Sequence, residues 1–79
     1  MDRQIIFEKL NEIFRDVFDN ESISVTDETT ADDIEDWDSL THISLLATIE
    51  DEFGIRFDMK DVIVLKNVGE MADLIEKMA

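Results

Sequence analysis

Asp38-Ser39-Leu40-Thr41-His42-Ile43-Ser44-Leu45-Leu46-Ala47-Thr48-Ile49-Glu50-Asp51-Glu52-Phe53-Gly54 holds both ends of one helix and, between them, two apolar stripes. Asp38 is a good N-cap, with its carboxylate beside the free amides of a first turn. Gly54 supplies the left-handed residue at which helices commonly stop. The helix so bounded runs from Ser39 to Phe53. Projected at roughly 100° per residue, its apolar side chains divide. His42, Leu45, Leu46, Ile49 and Phe53 make one stripe; Leu40, Ile43 and Ala47 make a second, with Glu50 angularly between them. Both stripes are core if different neighbours cover each. Alternatively the second stays exposed for partner proteins to read, with Glu50 and Asp51 beside it. Apolar residues ringed by charge commonly mark such sites, and the second reading is adopted.

Upstream, residues 3–18 read as a helix. Ile6, Phe7, Leu10, Ile13, Phe14, Val17 and Phe18 recur at i, i+3, i+4 and i+7, and only Ile5 strays from that face. Asp19-Asn20 ends it. Residues 19–37 form a long connection rich in Ser, Thr, Asp and Glu, with Ile23, Val25, Ile34 and Trp37 as its anchors on the core. Loops of that length in compact domains tend to be functional. Downstream, Ile55-Arg56-Phe57 is extended, and a short helix capped by Asp58 is expected over Met59–Val64. Asn67 caps a last helix, with Glu70 three positions on in a capping-box arrangement. Val68, Met71, Ala72, Ile75 and Met78 give that helix its buried face. Three main helices and one short one predict an all-α, small four-helix bundle, a single domain over residues 1–79.

Composition narrows the function. There is no cysteine, so neither a disulfide framework nor a thiolate metal site reinforces the core. No apolar run reaches the roughly 18–20 residues that span a bilayer, and Met1-Asp2-Arg3 opens no signal peptide, so a cytoplasmic protein is expected. Twenty-one acidic residues face seven basic ones, a net charge of −14. That balance disfavours nucleic acid and anionic membrane surfaces as partners. Thirteen of the acids fall between Asp16 and Glu52, a span without a single Lys or Arg. A solvated surface that keeps a small protein dispersed is one account of this; a negative face that steers basic partners is the other.

Ser39 follows the cap directly. The positive end of the helix dipole and the unpaired first-turn amides favour a phosphate there, so a hydroxyl esterified at Ser39 places a phosphodiester where a helix best tolerates one. Glu35-Asp36-Trp37-Asp38-Ser39-Leu40-Thr41-His42-Ile43, followed by Ile49-Glu50-Asp51-Glu52-Phe53-Gly54-Ile55, resembles the phosphopantetheine-binding carrier family, and within it the discrete acyl carrier proteins with a Trp-Asp-Ser-Leu signature. The likeness covers nearly the whole chain. It implies a four-helix bundle with 4'-phosphopantetheine attached covalently at Ser39. The arm comes from coenzyme A, transferred by a phosphopantetheinyl transferase with magnesium. It further implies that Asp38 contacts the transferase or its magnesium, and that acyl-loading and acyl-accepting enzymes with basic docking surfaces meet the carrier at Leu40, Ile43, Ala47, Glu50 and Asp51. A monomer is expected. The chain departs from carriers of fatty acid synthesis at Asp36 and Trp37, where those usually have glycine and alanine. The cargo stays open among fatty acyl, aminoacyl, polyketide and sugar-pathway groups.

Other functions fit less well. No nucleophile–base pair is present, and Glu50 with Asp51 is the best that an enzyme could use, so no catalytic residue is assigned. No resident metal is assigned either. A calcium loop through Asp32, Asp36 and Asp38 fails, because Ile34 stands at its third ligand position, Trp37 at its turn glycine and Ile43 at its closing glutamate. An aminoacyl or peptidyl carrier, or an acidic interaction bundle without a prosthetic group, remains the alternative. His42, the sole histidine, is expected to be a partly buried structural residue, and Trp37 a loop anchor.

Overall fold

The computed structural model describes residues 2–58, 60, 62 and 65–79. Three helices carry the architecture: α1 over Arg3–Val17, α2 over Ser39–Phe53 and α3 over Val68–Met78, with one 3-10 turn at Ala31–Asp33. Among the described residues there is no strand. The short helix expected over Met59–Val64 falls mostly on residues outside the described set.

Helix α1 is central and packs against both α2 and α3. Its periodic face does the packing: Ile6, Leu10 and Phe14 are fully buried, Ile13 and Phe18 nearly so, while Ile5 is exposed. Leu45 and Ile49 of α2 and Val68, Met71, Ala72 and Ile75 of α3 close the core from the other sides. Each such side chain taken fully out of water contributes roughly 1.5–3 kcal/mol, which carries a fold without disulfides. Met78 differs from expectation: at the frayed end of α3 it is exposed rather than part of the buried face.

The helix ends follow the sequence closely. Asp2 caps α1 through Gln4 N–H. The chain leaves α1 through Asp19 at φ 50°, a left-handed conformation that Asp tolerates, and Asn20 N–H closes onto Arg15 O at 3.0 Å. Gly54, at φ 65°, does the same for α2, with Ile55 N–H on Glu50 O at 3.1 Å. At α3 the expected reciprocal box is not formed. Asn67 Oδ1 accepts Glu70 N–H, but the Glu70 carboxylate accepts Lys66 N–H at 2.7 Å instead of the cap residue's own amide. Glu70 thereby ties the approach to the helix rather than its first residue.

The long connection is strapped down at many points. Ile23 and Val25 are buried, and Ile34 and Trp37 pack on the core. Asn11 of α1 reaches out with Oδ1 to accept Val25 N–H at 2.6 Å, and Arg15 Nε donates to Ile23 O at 2.7 Å. Farther on, the loop caps α3: Val68 N–H donates to Thr29 O at 2.8 Å and Gly69 N–H to Asp27 O at 3.0 Å. Two amides that helix geometry leaves unpaired are satisfied this way. Arg3 completes the junction. Its guanidinium pairs with Asp27, with Asp73 at 2.7 Å and with Glu76 at 2.9 Å, and donates to Gly69 O. So many carboxylate partners push its pKa well above the usual arginine value.

Candidate functional site

The loop ends at Trp37, which delivers the chain to the start of α2. Trp37 stands edge-on to Phe14, with centroids 5.2 Å apart, and lies 6.2 Å from Phe18. Its other side meets His42, nearly parallel at 24° and 5.9 Å away. The indole Nε1–H donates to His42 Nδ1 at 3.0 Å. Burial holds the His42 pKa below the ordinary histidine value. His42 is thus a half-buried structural residue, as expected, but its partner was not foreseen.

Asp38 caps α2 in full. Its Oδ1 accepts the amides of Leu40 and Thr41, each at 3.0 Å, and Thr41 Oγ1 accepts the Asp38 amide at 2.8 Å. Those bonds, Thr41's first, hold the Asp38 carboxyl below the usual carboxylate range. This changes the expected electrostatics at Ser39. The two first-turn amides anticipated as open to a phosphate already belong to Asp38. Ser39, the first residue of α2, is exposed, and its Oγ bonds to no described residue.

Ser39 sits on the rim of a cleft of about 570 Å³ between α2 and α3. Trp37, His42, Ile43, Leu65 and Met71 form much of its apolar lining, and Lys66 is the one cation on its wall. A shallower groove of about 390 Å³ continues from it along α2 past Leu46 and Ala47 to Phe57. His42, Ile43 and Val62 line both. A third depression, of about 630 Å³, is lined mainly by charged residues such as Lys9, Glu12 and Asp19 and lies away from Ser39. Among the described residues no cluster of three or more His, Cys, Asp or Glu is placed to hold a metal. No described helix is long and apolar enough to cross a membrane.

The two stripes of α2 separate as read. Leu45 and Ile49 are fully buried, whereas Leu40 and Ile43 are 77% and 66% exposed and Ala47 is exposed with them. Asp51 is exposed beside that strip. Glu50 is half-buried, and its Oε2 is taken by Phe57 N–H at 2.8 Å, so it fastens the segment after Gly54 back onto α2.

An exposed serine at a helix start beside an apolar cleft suits a long, flexible group ester-linked at the hydroxyl, and comparison with known proteins gives that group its identity. Residues 8–75 match the family model for the phosphopantetheine attachment site. The acyl carrier protein of Streptococcus pneumoniae serotype 4 is 35% identical over 74 residues, covering 94% of this chain and 96% of its own. That of Thermotoga maritima is 32% identical over 75 residues, covering 95% and 93%. In solution, the holo acyl carrier protein from Geobacter metallireducens has a similar fold, with a TM-score of 0.85 and 46% identity over 90% of this chain and 82% of that one. The chain therefore belongs to the acyl carrier proteins, which bear acyl groups on a phosphopantetheine arm.

Proposed function

We propose that Ser39 Oγ is the attachment point of the arm and that the exposed strip of α2 presents it to partner enzymes. The observation that supports this best is the position of Ser39, an unbonded hydroxyl at the first residue of α2 on the rim of the apolar cleft. Ser22 donates to Asn20, and Ser22, Ser24 and Ser44 do not line that cleft. A phosphopantetheinyl transferase supplies the arm from coenzyme A, and the arm's sulfur supplies thioester chemistry that a chain without cysteine lacks. Asp38 Oδ2, which bonds to no described residue, faces the transferase's magnesium or one of its basic side chains. Leu40, Ile43 and Ala47 form the apolar part of the docking strip, Asp51 its charged edge, and Glu50 its backing. Charge steering with a small apolar strip suits contacts that must form and release quickly. The carrier acts as a monomer in the cytoplasm, without catalytic residues of its own. Incubation with coenzyme A, magnesium and a broad transferase, followed by intact-mass analysis, tests the attachment. One arm should add to the wild type and none to Ser39→Ala; modification of Ser22, Ser24 or Ser44 overturns it.

A further inference from the structure

Polar groups around the cleft are nearly all committed to the protein itself. Asn67 Oδ1 holds Glu70 N–H, Asp38 Oδ1 holds two amides, and Glu50 in the adjoining groove holds Phe57 N–H. Lys66 is exposed at the edge. His42 is different. The indole of Trp37 can only donate, so the Nδ1 that receives its hydrogen bond carries no proton, and in the neutral ring the proton sits on Nε2. That Nε2–H bonds to no described residue. It is not sealed from solvent either, because no described buried side-chain nitrogen or oxygen lacks a partner. His42 lines both the cleft beside Ser39 and the groove beyond, so its free donor lies where the two meet. It is also one helical turn from Ser39, about 4.5 Å along the axis. A donor beside apolar walls favours an acceptor over an alkyl surface.

Phosphopantetheine carries amide carbonyl oxygens along its length. We propose that His42, its tautomer locked by Trp37, positions the arm: Nε2–H donates to an amide oxygen of the arm and folds it into the cleft instead of leaving it extended in solvent. The inference rests on attachment at Ser39. His42 acts here on the arm and not on the thioester, so it is a positioning residue. Its environment comes from three elements, namely Trp37 of the loop, Ile43 of its own helix and Met71 of α3.

The test uses protein labelled with 15N at histidine, in apo and holo forms, with intact mass confirming one arm on Ser39. In the apo form the imidazole nitrogen shifts should show the proton on Nε2. In the holo form, exchange of that proton with water should slow about five- to tenfold, the scale of one net hydrogen bond. Arm resonances should also show contacts to His42 and Met71. His42→Gln keeps an acceptor for Trp37 and a donor for the arm, so arm docking should survive in it. His42→Phe should lose it, and Trp37→Phe should mix the tautomers and weaken it, with helical circular dichroism verifying the fold of each. A proton on Nδ1 in the apo form, unchanged exchange in the holo form, or equal docking in His42→Phe overturns the proposal while leaving attachment at Ser39 intact. An arm on another serine overturns both.

Discussion

Gly69 is the second residue of α3, where helix propensity alone recommends alanine. Gly69→Ala removes backbone freedom from the unfolded chain and should gain up to about 1 kcal/mol, less so near close to a helix end. The structure argues the opposite sign. A Cβ at Gly69 would lie 2.6 Å from the Asp27 carbonyl oxygen and 3.1 Å from the Asp27 Cα. Unstrained contacts between such atoms lie above about 3 Å, so backbone must move by several tenths of an ångström. Neither side moves freely: Gly69 N–H donates to that same oxygen, Val68 N–H is held by Thr29, and Arg3 grips both Asp27 and Gly69 O. Overpacking of this kind costs roughly 1–3 kcal/mol, which exceeds the propensity gain. The net expectation is a loss of about 1–2 kcal/mol, or about 4–15 °C in melting temperature for a domain of this size. Urea unfolding and thermal melts followed by circular dichroism measure it, and faster exchange of the amides at positions 68 and 69 should accompany it. A melting temperature equal to or above wild type would show that the loop does not rest on α3 as described.

Further outcomes follow from the site. Ile43→Asp should keep the helical circular dichroism, since Ile43 is 66% exposed, and slow loading by the transferase or a ligase about tenfold or more; loss of cooperative unfolding would put Ile43 in the core. His42 titrates below its ordinary value, so the stability due to its neutral form is complete above the unfolded-state value and is lost as pH falls through the folded one. Fluorescence of the single tryptophan should report that step as the indole loses its acceptor, and a midpoint at or above about 6.5 would contradict it. With −14 on 79 residues, melting temperature should rise with sodium chloride between about 0.01 and 0.1 M, as the screening length falls from about 30 to 10 Å; a flat profile would show that repulsion does not limit the fold.

Helix α2 was legible because its determinants are local. Asp38, Gly54 and the spacing of Leu45 and Ile49 lie within one stretch of chain and act on neighbours a turn away. The exposed strip was legible too, as an arc too broad for one contact. What escaped depends on approach in space. Thr41 closing the box with Asp38 is local and could have been read from an Asp followed three residues later by a hydroxyl. Trp37 with His42, Glu50 with Phe57 and Glu70 with Lys66 are hydrogen bonds whose partners lie four to seven positions apart across a turn or helix boundary, where spacing alone does not fix direction. Gly69 reads in sequence only as a weak helix residue. Its reason is a carbonyl 42 positions away, delivered by the strapped loop.

The site and the core are joined through that loop. Phe18, Phe14, Trp37 and His42 form one run of rings from the end of α1 to the cleft, with successive centroids 5.8, 5.2 and 5.9 Å apart. Rings so packed do not shift singly, because interiors at crystal-like density pass displacements to their neighbours. Trp37 reaches His42 only while the loop is seated, and the loop is seated by Asp27 and Thr29 on the first turn of α3 and by Asn11 and Arg15 on α1. The exposed strip of Leu40 and Ile43 has no such dependence, since it stands on α2 alone. Loosening the loop should therefore disturb the cleft beside Ser39 while sparing the docking strip, which separates what the carrier does with its arm from how partners find it.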